Sequence, residues 1–234
     1  MSFELASGAE GRWTGEPGLR AVVCVNGGTS AEVTGTWSAS VEWLVRELAE
    51  SSPGLGFLEV RYRIKSWRRL ELCVEDGRAA IAAARDVGAE EIALVGFSMG
   101  GAVAVRNAAE PAVGLIVGIN PWLPRQLELD SLIGRRLAIA HGSLDSPLPL
   151  IPGVKPSMSL AACKRAQALG VDAERHVVRG GFHAVALRRR TGGLLRLPGA
   201  GSYRDFVAGE LERFWSAPRS RSKPRGRLSP RRVT

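Results

Sequence analysis

Cysteine is scarce in this chain and badly placed for bridging. Cys24, Cys73 and Cys163 are odd in number and far apart, with no Cys-x-x-Cys pair and no cluster of cysteine with histidine. That excludes a disulfide framework and a zinc site of the usual spacing, and it predicts three buried, apolar thiols in a reducing compartment. No metal is expected. A long hydrophobic run is also missing: the most apolar stretch, Ile92 to Ala109, is interrupted by Ser98, Arg106 and Asn107 and makes a poor membrane span. The opening residues, Met1-Ser2-Phe3-Glu4-Leu5, lack the basic start and apolar segment of a secretory signal. A cytoplasmic, soluble protein with no membrane partner is expected.

Acidic residues are absent from one region in particular. Between Pro218 and Thr234 lie seven basic residues and no acid, so seven of the formal charge of +9 belong to this segment and the rest of the chain carries +2. The segment has no aromatic side chain for base stacking and no apolar periodicity, and it reads as a basic disordered tail. A nucleic-acid partner is therefore not expected. Residues 1–217 read as one domain, since 234 residues with 45% hydrophobic content can bury one large core.

What is present is an alternation of strand and helix signals from residue 20 to 217, the pattern of a mostly parallel sheet with helices on both faces. Arg20 to Asn26 is a β-branched run ending in Gly27-Gly28, as a strand buried on both sides would be. Further strands are predicted at 57–64, with one more polar face, and at 91–97, 113–119, 137–140 and 173–178. Helices are predicted at 37–50, 70–87, 99–110, 159–169 and 202–215, with a short connecting helix inside 121–134.

Three short segments then stand out, each just past a predicted strand: Gly96-Phe97-Ser98-Met99-Gly100, His141-Gly142-Ser143-Leu144-Asp145, and Gly181-Phe182-His183. Strand, tight turn and helix is the geometry that holds a serine on a strained backbone with its hydroxyl above the sheet, and it needs small residues two positions either side. Gly96 and Gly100 supply them. A serine hydroxyl is a poor nucleophile at neutral pH. It needs a histidine to take its proton and an acid to hold that histidine in the right tautomer. His183 is the candidate base and Asp145 the candidate acid, both at the carboxyl edge where open parallel sheets assemble their sites. His141 and His176 lie within strands and are poorer bases; Asp130 is the rival acid. Charge building on the attacked carbonyl oxygen needs backbone amides. Met99 is one candidate donor, and Gly28, in the Asn26-Gly27-Gly28-Thr29 loop, is the other.

With these motifs and their order, residues 19 to 216 resemble the α/β-hydrolase superfamily, particularly its small esterases and dienelactone-hydrolase-like members. The resemblance implies Ser98 as nucleophile, Asp145 as acid, His183 as base, an acyl-enzyme intermediate and no cofactor. Two departures are visible. Many relatives have His-Gly where this chain has Asn26-Gly27, and the segment from Asn120 to Leu137 is too short for a large lid domain.

The expected function is a serine hydrolase acting on a small-molecule carboxylic ester, with thioesters and lactones open as substrates. A peptidase, a cofactor-free perhydrolase or a non-catalytic ligand-binding protein of the same fold are the alternatives. Arg61, Arg63, Lys65, Arg68 and Arg69, and Arg188, Arg189 and Arg190, fall near the expected site edge. They would attract an anionic acyl group or form a solvated rim paired with acids such as Glu59 and Glu71. Trp37, Trp67 and Trp122 would wall an acyl pocket or belong to the core.

Overall fold

The structure, a computed structural model, describes residues 2–146 and 153–216. The segment read as a basic tail, 218–234, lies outside the described residues.

In chain order the elements are β1 (Ser2–Glu4), β2 (Glu10–Thr14), β3 (Arg20–Val25), β4 (Val33–Thr34), α1 (Ala39–Ser51), β5 (Gly56–Arg61), β6 (Ile64–Lys65), α2 (Leu70–Asp86), β7 (Glu91–Phe97), α3 (Gly100–Arg106), β8 (Val113–Ile119), β9 (Arg136–Gly142), α4 (Pro156–Ala168), β10 (Asp172–Val178), β11 (Ala186–Arg188), β12 (Leu194–Arg196) and α5 (Ala200–Ser216). An eight-stranded sheet runs in the order β1-β2-β5-β3-β7-β8-β9-β10. From β5 to β10 every pair is parallel, and β1 and β2 add an antiparallel edge.

The sheet divides the core in two. Strand side chains alternate between faces, so Val23, Ile92 and Leu94 join one cluster with Cys73, Val103 and Ala162 of α2, α3 and α4. Val22, Ala93 and Val95 join the other, with Leu44 of α1 and Val207 of α5. Burying both faces explains why β3, β7 and β8 read as continuous apolar runs instead of alternating ones. All three cysteines are buried and unpaired.

Several local features differ from the sequence reading. The strand expected at 57–64 stops at Arg61, and Ile64–Lys65 pairs instead with β4. Its polar face is not exposed: β2 covers that edge, and Arg12 Nε and Nη2 donate to the buried Glu59 carboxylate at 3.0 and 2.8 Å. Burial pushes the Glu59 carboxyl up, against the pull of Arg12. The helix expected at 99–110 ends at Arg106. There the Asn107 side-chain amide donates to the Val103 and Val74 carbonyls, and the chain continues in tight turns. Between β8 and β9 the connecting helix is only a 3-10 turn at Asp130–Leu132, so this connection carries no lid. The hairpins β1–β2 and β11–β12 have no counterpart in the predicted elements. Among the described residues no helix is long and apolar enough to cross a membrane.

Candidate active site

The Ser98 turn is built by close backbone approach. Ser98 takes φ of 55°, in the left-handed region where a non-glycine residue is strained. It is held by its amide donating to Ile119 O at 3.0 Å and by its carbonyl accepting from the Gly101 and Trp122 amides. A Cβ on Gly96 would sit 2.3 Å from the Gly100 carbonyl oxygen, and one on Gly100 would sit 2.4 Å from Val25 O. Both obstacles are backbone, which cannot rotate away. Gly100→Ala is therefore expected to destabilise the protein by about 3 kcal/mol, the upper range for overpacking. The thermal midpoint should fall by roughly 6–12 °C, as calorimetry can measure.

Above this turn, His183 Nε2 lies 3.0 Å from Ser98 Oγ, while its Nδ1 lies 2.8 Å from Asp145 Oδ2. These three residues come from the turn after β7, the loop after β9 and the loop after β10. The imidazole is 13% exposed, and Asp145 is fully buried. Phe97 flanks the imidazole, ring centroids 5.2 Å apart.

Asp145 has more partners than the one histidine. Its Oδ1 accepts from the Val154 amide at 2.9 Å. Its Oδ2 also lies 3.1 Å from His141 Nε2, which is 2.9 Å from Val154 O. Both groups facing that nitrogen are acceptors, so its proton sits on Nε2. His141 Nδ1 is buried with no hydrogen-bond partner among the described residues. Burial alone would push the Asp145 carboxyl up. The hydrogen bonds from His141 and His183, the charge of His183 and the Val154 amide outweigh burial and hold it below the usual carboxylate range. Sequence reasoning weighed His141 only as a base and missed this contact. The i,i+4 spacing of His141 and Asp145 around a Gly was the available signal.

The other candidates fall elsewhere. His176 stays within β10 and stacks on Phe206 at 5.6 Å. Asp130 is exposed at the start of the 3-10 turn, and the carboxylate beside His183 is that of Asp145.

The Asn26–Thr29 loop packs on the Ser98 turn. A Cβ on Gly27 would be 3.2 Å from Ser98 Cβ, and one on Gly28 would be 2.2 Å from Met99 Sδ. Among the described residues no protein acceptor takes the amide of Gly28 or of Met99. The Asn26 side chain turns back to the sheet, donating to Val60 O at 2.6 Å.

Half of the eight rim cations pair with acids. Arg61 bonds Glu10, Arg63 bonds Glu75 and Asp76, Arg69 bonds Glu32, and Arg188 bonds Glu42. Lys65 donates to the Thr36 hydroxyl at 2.9 Å. The acids expected as partners are otherwise engaged, Glu59 with Arg12 and Glu71 with Arg106. Trp37 lies under the Arg12 guanidinium, 4.4 Å from its ring centre, and Trp122 packs against the core. Trp67 is 41% exposed, its amide donating to Thr29 O beside the glycine loop.

Among the described residues no group of three or more histidine, cysteine or acidic side chains is arranged to hold a metal ion.

A family model described as Phospholipase/Carboxylesterase matches residues 72–188, half of the chain. No curated protein matches. Among solved structures, TT1662 from Thermus thermophilus is 17% identical with a TM-score of 0.62, covering 93% of this chain and 99% of its own. The dienelactone hydrolase-like promiscuous phosphotriesterase P91 from metagenomic libraries is 16% identical, TM-score 0.61, covering 89% and 95%. An α/β serine hydrolase homologue from Coxiella burnetii is 16% identical, TM-score 0.61, covering 92% and 95%. At these identities the likeness establishes the α/β-hydrolase fold.

Proposed function

The chain belongs to the phospholipase/carboxylesterase family of α/β-hydrolases, and from that premise we propose that it is a serine hydrolase cleaving small-molecule carboxylic esters through an acyl-enzyme on Ser98. The observation that carries this reading is the unbroken hydrogen-bonded run from Ser98 Oγ through the His183 ring to the Asp145 carboxylate. His183 Nε2 takes the hydroxyl proton as Oγ attacks the carbonyl carbon. The amides of Met99 and Gly28, free of protein acceptors among the described residues, donate to the oxygen that gains charge. As the tetrahedral species collapses, His183 returns the proton to the departing alcohol. Water then enters and attacks the acyl carbon as it gives a proton to His183, and His183 passes that proton to Ser98 Oγ as the C–Oγ bond breaks and the acid is released. Asp145 accepts from Nδ1–H throughout, fixing the tautomer and stabilising the imidazolium. Thioesters and lactones would follow the same steps, and no step calls on a cofactor.

Two features favour an uncharged ester over an anionic one. Four of the eight rim cations, Arg61, Arg63, Arg69 and Arg188, are neutralised by acids, and the large exposed side chains next to the acid and the base, Leu144 and Phe182, are apolar. The reading takes residues 1–217 as one catalytic domain, and the unpaired thiols favour a cytoplasmic setting.

A fluorophosphonate probe tests the reading. A phosphonyl adduct on Ser98, located by peptide mass, is the expected result, together with turnover of 4-nitrophenyl esters. Folded protein that takes no label and turns over none of these esters would overturn it in favour of a ligand-binding role.

A further inference from the structure

Nothing in regular secondary structure fixes His183: β10 ends at Val178 and β11 begins at Ala186. The general base of a proton relay has to stay within about 0.5 Å of its working position, so other groups must hold this loop.

One buried side chain does so from directly beneath. Asn120, fully buried at the end of β8, donates through Nδ2 to the carbonyl of Phe182 at 2.9 Å and to that of His183 itself at 2.7 Å. Its Oδ1 accepts from the Gly142 amide at 2.8 Å and from the Tyr203 hydroxyl at 3.0 Å. All four hydrogen-bonding positions of the amide are filled. Only this orientation works, because the reverse one would face the carboxamide oxygen toward two carbonyls. Tyr203, on α5 and fully buried, also lies 3.0 Å from Phe182 O, so its one hydroxyl proton is shared between that carbonyl and Asn120 Oδ1. Burial pushes its phenol well up, so the hydroxyl keeps its proton to donate.

The backbone of Asn120 is strained to deliver this. Its φ is 45°, and besides Ser98 it is the sole non-glycine residue with positive φ among those described. Such a conformation costs on the order of 1 kcal/mol and persists where the surroundings impose it; asparagine tolerates it better than most residues. Gly142 and Gly181 complete the fit, since a Cβ on either would meet the Tyr203 hydroxyl oxygen at 2.4 and 2.7 Å. Just beyond, Ser40 Oγ accepts from the Val185 and Ala186 amides at 3.0 and 3.3 Å, pinning the far end of the loop to α1.

We propose that Asn120, backed by Tyr203, is the positioning residue that keeps the His183 imidazole between Ser98 and Asp145. The inference rests on the reading of Ser98 and His183 given above. Neither side chain contacts the reacting atoms. Each acts through the backbone that carries the base.

Two variants of the full-length protein test it, with Ser98→Ala alongside. Asn120→Asp keeps size and acceptor but loses the two donors to the loop carbonyls; Tyr203→Phe removes only the hydroxyl. With 4-nitrophenyl acetate, Asn120→Asp should lower kcat about 100-fold, the scale of a misplacement near 1 Å, and leave KM within about twofold because substrate contacts are intact. Tyr203→Phe should lower kcat about fivefold, as loss of one hydrogen bond would. The ratio of Asn120→Asp to wild-type kcat should rise as pH falls, because the protonated carboxyl can again donate to one carbonyl, a response that a general loss of stability would not produce. Should Asn120→Asp fail to fold, Tyr203→Phe decides. Folded variants with kcat within twofold of wild type, or a loss confined to KM, overturn the positioning role when Ser98→Ala is inactive. If Ser98→Ala itself retains turnover, the hydrolase reading fails instead.

Discussion

Ser98→Ala is expected to lower kcat by about 10⁴-fold or more, the scale seen when the nucleophile of a serine–histidine–acid set is removed. Among the described residues no other hydroxyl stands in hydrogen-bond contact with the His183 ring, which bonds Ser98 and Asp145. The residual rate should come from substrate binding and the backbone donors alone. Alanine retains the Cβ and gives up one hydrogen bond, that between Ser98 Oγ and His183, so the thermal midpoint should move by no more than about 2 °C. Steady-state kinetics and a melting curve on the same sample check both halves. Wild-type turnover by the folded variant would remove Ser98 from the chemistry.

Asp145→Ala should cost about 10⁴-fold in kcat and change the response of the fold to acid. Three donors converge on this carboxylate, from His183, His141 and the Val154 amide. Truncation leaves the His183 ring free to adopt the tautomer with its proton on Nε2, which cannot receive the serine proton. It also strands the buried Val154 amide and loosens His141. The stability consequence has a definite sign. Burial opposes ionisation here, yet the hydrogen bonds and charge win, and the carboxyl is held below its ordinary value. A depressed native value stabilises the fold above the unfolded carboxylate range of about 3.9, and that contribution disappears as pH falls through the lowered native value. The gap in unfolding free energy between wild type and Asp145→Ala should therefore be widest near neutrality and narrow below about pH 4. Denaturant melts at several pH values would show it. A gap that widens in acid would contradict the placement of the charge.

Much of the layered architecture was legible because its physical cause is local. A strand covered by helices on both faces must be apolar at successive positions, and β3, β7 and β8 are. The tight Ser98 turn was visible for a similar reason: its neighbours must lack a Cβ, and the glycines at 96 and 100 are where the backbone crowds. Where neighbours in space set the outcome, the reading failed. Glu59 sits in an alternating strand and reads as outward-facing, but β2 covers it and Arg12 bonds it. Tyr203 reads as one more residue of an amphipathic helix, though its hydroxyl reaches the loop that carries His183. Asn120 looks like a turn residue before Pro121, and nothing near it in sequence reveals that its partners lie 62 and 63 positions away.

The sequence by itself determined which residue types were available for proton relay, where chain direction reverses, and that a parallel sheet would carry them to one edge, since periodicity and turn chemistry act over a few residues. Only the tertiary structure decided that the imidazole of His183 meets a hydroxyl 85 positions away, that one carboxylate serves two histidines, and that a strained asparagine grips the loop from below. Those outcomes depend on how sheet twist and helix packing bring distant carbonyls and amides within 3 Å. Hydrogen bonds of that length are directional and short-ranged, so they form only where the closed core sets both partners in place.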